Sequence, residues 1–119
     1  MLFALMFNSN AEEYARRDDP AQAPAYWAAW RAYMDAVNAA GVAVGGAQLE
    51  VPGTATTVRI RDGERFVQDG PYADTRELLG GFLLIDVPSL DEALQWAARS
   101  PSSSAGSTEV RPMKSPAKG

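Results

Sequence analysis

The chain contains no cysteine and no histidine. Without cysteine there is no disulfide, no thiolate nucleophile and no thiolate metal site, and the redox compartment cannot be read from the sequence. Without histidine the usual general base near neutral pH is gone, together with the usual zinc and haem ligand. A Ser-His-Asp hydrolase is therefore excluded in spite of the run Ser102-Ser103-Ser104. No apolar run approaches the ~20 residues of a membrane helix, so no membrane span is expected. Met1 to Phe7 is apolar but short and has no basic region before it, which reads as a strand and not as a signal peptide. Charges of both signs are scattered around a net charge of −4, and no basic stripe points to nucleic acid. The pairs Gly45-Gly46 and Gly80-Gly81 lack the spacing of a phosphate or dinucleotide loop. No metal-ligand spacing links the carboxylates. The reading implies no cofactor, no metal, and the cytoplasm as the location.

What is present fits one domain. The chain has 119 residues, of which 46% are apolar, enough for a single hydrophobic core. Residues 1–113 read as that domain and 114–119 as a flexible tail. Leu2-Phe3-Ala4-Leu5-Met6-Phe7 is a strand in which both alternating sets are apolar. Glu12 to Arg17 has room for a short helical turn. Pro24 to Ala40 is a helix, with Trp27, Trp30, Met34 and Val37 at spacings of three and four and Gly41 at its C-cap. Val42-Ala43-Val44 begins a second strand that Gly45-Gly46 bends. Thr54 to Arg61 alternates, Asp62-Gly63 turns, and Arg65 to Gln68 returns as a hairpin. Asp69-Gly70-Pro71 is a further turn, and Gly81 to Val87 is a buried strand. Ser89 and Glu92 form a capping-box pattern at the start of a second helix that Pro101 ends. Pro101 to Ser107 reads as a serine-rich loop, and Thr108 to Arg111 as the last strand.

The order β-α-β, hairpin, β-α-β implies an α+β, ferredoxin-like fold. Two right-handed crossovers put both helices on one face of an antiparallel sheet. The opposite face then lies bare, although the first strand and the strand at 81–87 are apolar on both sides. Packing against a second copy, sheet against sheet, would cover it, and a homodimer is expected.

The wording of several segments adds a resemblance. Thr54-Ala55-Thr56-Thr57-Val58-Arg59, Asp69-Gly70-Pro71, Thr75, Leu79-Gly80-Gly81, Asp86-Val87, Asp91-Glu92-Ala93, Trp96-Ala97 and Glu109-Val110-Arg111-Pro112 together resemble the DGPF group of the YCII-related family. The likeness runs from about Leu2 to Met113, and Tyr72 stands where the signature has phenylalanine. It implies a dimeric α+β barrel. Some members of the wider family are linked to lyase chemistry such as chloride elimination, with a His-Asp pair in a dimer cleft. That pair has no counterpart here, because there is no histidine. DGPF proteins also accompany extracytoplasmic-function sigma factors, which implies a regulatory or interaction module as the alternative to a small-molecule binding protein or lyase-type enzyme.

The remaining polar residues supply the candidates. With histidine and cysteine absent, proton transfer would fall to a carboxylate: Asp69 as general base in a pocket, and Asp74 after it. The plain alternatives are a turn acceptor for Asp69 and a solvated loop for the Asp74–Glu77 cluster. Thr57, Arg59 and Arg61 share one strand face, and their donors could hold a carboxylate or phosphate, or simply face solvent. Trp27 and Trp30 would give a ligand its apolar walls or pack the core, and Tyr72 would offer a hydroxyl. A ligand pocket, if formed, is expected where the Asp69–Tyr72 turn, the Thr57/Arg59 face and the aromatic helix converge.

Overall fold

A computed structural model describes residues 1–73 and 75–114 of the chain. Asp74 and the last five residues, within the stretch expected to be a tail, lie outside the described residues. Strand β1 (Leu2–Ser9) is the spine of the main sheet. Its alternation has a direct consequence: Phe3, Leu5, Phe7 and Ser9 are buried, and Leu2, Ala4, Met6 and Asn8 only half so. After a short link come α1 (Ala11–Asp18), α2 (Ala23–Ala40) and β2 (Ala43–Gln48). A 3₁₀ turn leads into the hairpin β3 (Thr56–Arg61) and β4 (Glu64–Asp69). The chain closes with β5 (Leu78–Asp86), α3 (Leu90–Arg99), α4 (Pro101–Ala105) and β6 (Ser107–Pro112).

The main sheet has the order β2-β5-β1-β6, and its strands are antiparallel throughout. Leu5 stands opposite both Leu83 of β5 and Val110 of β6, so these three share one face. That face receives the helices: Phe3, Leu5, Phe7, Leu83 and Ile85 form the core with Tyr33 and Val37 of α2 and Ala93 and Ala97 of α3. The ferredoxin-like α+β arrangement expected from the element order is thus present. The hairpin forms a separate two-stranded sheet. The molecule is a slab of 51 × 47 × 19 Å, one sheet thick with one helical layer. None of its described helices is long and apolar enough to cross a membrane.

Local chemistry explains the ends of these elements. Asn10 caps α1, its side chain accepting from the Glu13 amide at 3.0 Å, and Ser89 caps α3 by accepting from the Glu92 amide at 3.2 Å. Gly41 ends α2 in the left-handed region at φ 70°.

Two segments differ from the sequence expectation. The stretch expected to make a single turn at Glu12–Arg17 is a full two-turn helix, α1, because Asn10 caps it and Asp19 closes it. The stretch expected to be a serine-rich loop contains α4. Pro101 occupies the first turn of that helix, where its missing N–H costs nothing. Hydroxyls that would otherwise compete with the backbone satisfy one another: Ser100, Ser102 and Ser103 all reach the Thr108 hydroxyl, at 3.0, 2.7 and 2.7 Å.

Candidate functional site

A cavity of about 620 Å³ opens between the aromatic face of α2, the end of α1 and the β2–β5 edge of the sheet. Its walls include Phe7, Tyr26, Trp27 and Trp30. These rings hold one another edge to face: Trp30 lies 5.0 Å from Phe7 and Trp27 5.0 Å from Tyr26. The helical spacing of Trp27 and Trp30 therefore serves two purposes. Trp30 packs on the core through Phe7, and both residues wall the cavity.

The floor is made by what is missing. Gly45, Gly46, Gly80 and Gly81 all border the cavity, and their missing side chains let the strands approach one another there. Gly46 has φ 149°, and a Cβ there would stand 2.6 Å from the Phe82 carbonyl oxygen. Only glycine lets β2 pass so close to β5. A Cβ on Gly80 would stand 3.0 Å from the Tyr14 hydroxyl.

Tyr14 and Arg17, both on α1, supply the polar wall. The spacing of three residues places them on the same side of the helix. The Tyr14 hydroxyl oxygen is buried and has no hydrogen-bond partner among the described residues. Burial pushes its pKa upward and the Arg17 charge pulls the other way; the Ser9 hydroxyl stands near enough to pull it down weakly but forms no hydrogen bond of good geometry with it. Tyr26 is likewise raised, chiefly by burial. Both phenols are thus neutral donors near neutral pH. The Arg17 guanidinium lies over two rings, 5.9 Å from the centre of Tyr14 and 5.3 Å from that of Trp27. A second cleft of about 400 Å³, beside α1 and α4, is lined by Glu13, whose buried carboxylate pairs with Arg16 at 3.5 Å.

The other sequence candidates lie elsewhere. Thr57, Arg59, Asp69 and Tyr72 belong to the hairpin and the turn after it, and none of them lines either cavity. Their donors are engaged locally. Thr57 donates to the Gly70 carbonyl at 2.8 Å, and Arg59 donates to Gln68 Oε1 at 3.0 Å and to the Tyr72 carbonyl at 3.3 Å. Asp69 is exposed, and Tyr72 is 78% exposed. The convergence of turn, strand face and aromatic helix is not formed within one chain. Asp74 lies outside the described residues. Sequence reasoning missed Ser9, Tyr14, Arg17 and Arg31, all of which line the cavity. The signal that could have found it was the pair of double glycines in two strands, since glycine weakens a strand unless close approach or open space requires it.

Fold and cavity together define a ferredoxin-like α+β protein with an aromatic pocket on the helical side of its sheet. Residues 1–115 match the model of the YCII-related domain, and the chain belongs to that family. A stretch of 66 residues is 53% identical to the uncharacterized protein R00369 of Rhizobium meliloti (strain 1021). That stretch is 53% of this chain, and the chain spans about half the length of that relative, also 53%. Among solved structures the chain is similar to a 5-chloro-2-hydroxyhydroquinone dehydrochlorinase from Burkholderia phenoliruptrix AC1100 in complex with 2,5-dihydroxybenzoquinone. The TM-score is 0.54 at 21% identity, over 96% of this chain and 94% of that one. At that identity the likeness concerns the fold.

Proposed function

We propose that the aromatic cavity binds a small planar organic molecule, and that the protein works as a homodimer in binding or transforming it. The observation that carries this reading is the cavity of about 620 Å³ walled by Phe7, Tyr26, Trp27 and Trp30. Ligand sites commonly have a volume of ~300–1,000 Å³ and a largely apolar lining with a few polar groups. The dehydrochlorinase of similar fold holds 2,5-dihydroxybenzoquinone, a planar ring of suitable size. Trp27 and Trp30 are ligand contacts in this reading. The hairpin that bears Asp69, Thr57, Arg59 and Tyr72 would meet a ligand only by reaching toward a second copy. Neutral Tyr14 and Tyr26 donate hydrogen bonds but do not abstract protons, so lyase-type chemistry here suits a substrate that arrives already ionised.

The reading is tested by titrating 2,5-dihydroxybenzoquinone and simple hydroxylated benzenes while following tryptophan fluorescence and the thermal midpoint. Binding should quench Trp27 and Trp30 and raise the midpoint, with stabilisation of about 2.7 kcal/mol at a hundred times Kd. Trp27→Ala, which leaves the Trp30–Phe7 contact intact, should remove most of the response. Absence of any shift across the panel at millimolar concentration would discard the pocket as a ligand site.

A further inference from the structure

The charges of the cavity are one-sided. Arg17 and Arg31 line it, and no aspartate or glutamate among the described residues does, in a chain of net charge −4. Arg17 is held in place but underused. Its side chain is only 11% exposed, and its guanidinium carbon stands over two aromatic rings, whose faces offer no lone pair to its N–H donors. The nearest carboxylate, Glu50, stands 3.9 Å away on a side chain that is 83% exposed. That is too far for a hydrogen bond, and a contact at that distance to so exposed a carboxylate contributes little. Three residues before Arg17, the Tyr14 hydroxyl is buried with no partner among the described residues, and glycine at position 80 leaves it room. Buried donors are normally satisfied, and a guanidinium fork matches a pair of anionic oxygens.

We propose that the ligand of this cavity is a planar aromatic acid, a carboxylate or an ionised hydroxyquinone. Its negative oxygens are held by Arg17 with a hydrogen bond from Tyr14, and its ring lies among Trp27 and Trp30. The proposal rests on the cavity being a ligand site, and it specifies the class of that ligand. The ligand anion takes the place beside Arg17 that Glu50 occupies loosely. Arg31, exposed at the lining, adds attraction at longer range.

Matched pairs test the charge separately from the pocket. Calorimetric titrations of the intact protein would compare benzoate with benzamide, and 2,5-dihydroxybenzoquinone with its uncharged dimethoxy analogue, at neutral pH. The wild-type protein should prefer the anion of each pair by at least about tenfold, the scale of one charge-assisted hydrogen bond. Arg17→Gln should lower affinity for the anion by a similar factor and leave the neutral partner within about twofold. Tyr14→Phe should weaken the anion by a smaller factor, about threefold to tenfold. Equal wild-type affinity for both members of each pair would overturn the anion proposal and leave the pocket standing. Binding of neither member would overturn both. If Arg17→Gln lost its cooperative melt, Arg17→Lys, which keeps the charge and loses the planar fork, should retain the preference at reduced affinity. An Arg17→Lys protein that treated both members alike would count against Arg17.

Discussion

Tyr33 shows how one side chain couples the core to pH. It is 5% exposed, touches Phe7 and Trp30 edge to face, and donates to the Trp96 carbonyl at 2.9 Å. Burial pushes its pKa from 10.0 up to about 12, with Arg99 pulling weakly the other way. The neutral phenol is therefore favoured in the folded state. The stability that this contributes is fully present below about pH 10, where the unfolded phenol is also neutral, and is lost as pH rises towards 12. Urea melts should show a loss of stability between these two pH values that is shallower in Tyr33→Phe. At neutral pH the same variant should lose only about 1 kcal/mol, for the hydrogen bond. Parallel alkaline slopes for the two proteins would refute the assignment. At this scale the sequence was informative about types and less so about roles. The stripe through Trp27 and Trp30 follows from spacing alone. Nothing local distinguishes Arg17 from Arg16, yet one faces aromatic rings in a cavity and the other pairs with Glu13.

The hairpin is the element in which the signature turn does its structural work. Gly70 has φ 98°, with open space where a Cβ would project. Its amide donates to the Ala55 carbonyl at 2.7 Å, and its carbonyl accepts from Thr57. These bonds tie the end of β4 back to the start of β3. A β-branched residue at that φ would be strained, so Gly70→Val should cost about 1–3 kcal/mol. Asp69→Ala changes an exposed side chain and should stay within about 0.5 kcal/mol. Equal shifts of the urea midpoint in the two variants would contradict this account. Turn chemistry of this kind was legible in advance because it depends on a few adjacent residues. The inner organisation of α4 was not, since the serines are satisfied by Thr108 on the next strand.

At the scale of the whole molecule the bare sheet face dominates. Leu2, Ala4 and Met6 of β1 alternate away from the core, and Leu84 and Phe82 of β5 pair with Ala4 and Met6 in register. All five are half-exposed in the single chain. Beside them on β6 stand Arg111 and Glu109, bridged at 2.8 Å, which gives the apolar strip a polar margin. The proposed homodimer would bury this strip, with at least ~800 Å² per partner as in stable complexes. Light scattering should therefore give twice the chain mass at micromolar concentration. Leu84→Asp should give a folded monomer, because Leu84 points away from the core formed by Leu83 and Ile85. A wild-type monomer would remove the proposal.

The fold class, the positions of the two long helices and the two-sided apolar character of β1 were contained in the order of residues. Periodicity, caps and turns are local interactions, and the resemblance in wording pointed to the same family. The cavity was not contained there. It depends on two strands distant in the chain pairing so that Gly45 and Gly46 of β2 stand opposite Leu84 and Leu83 while Gly81 of β5 stands opposite Gln48, which brings both glycine pairs to the border of one space. It depends also on α1 bringing Tyr14 and Arg17 to its edge. Asp69 had the chemistry of a general base, but chemistry acts only where packing delivers it. The hairpin carries that carboxylate outward, whereas the sheet and α2 enclose the space in which a ligand would sit.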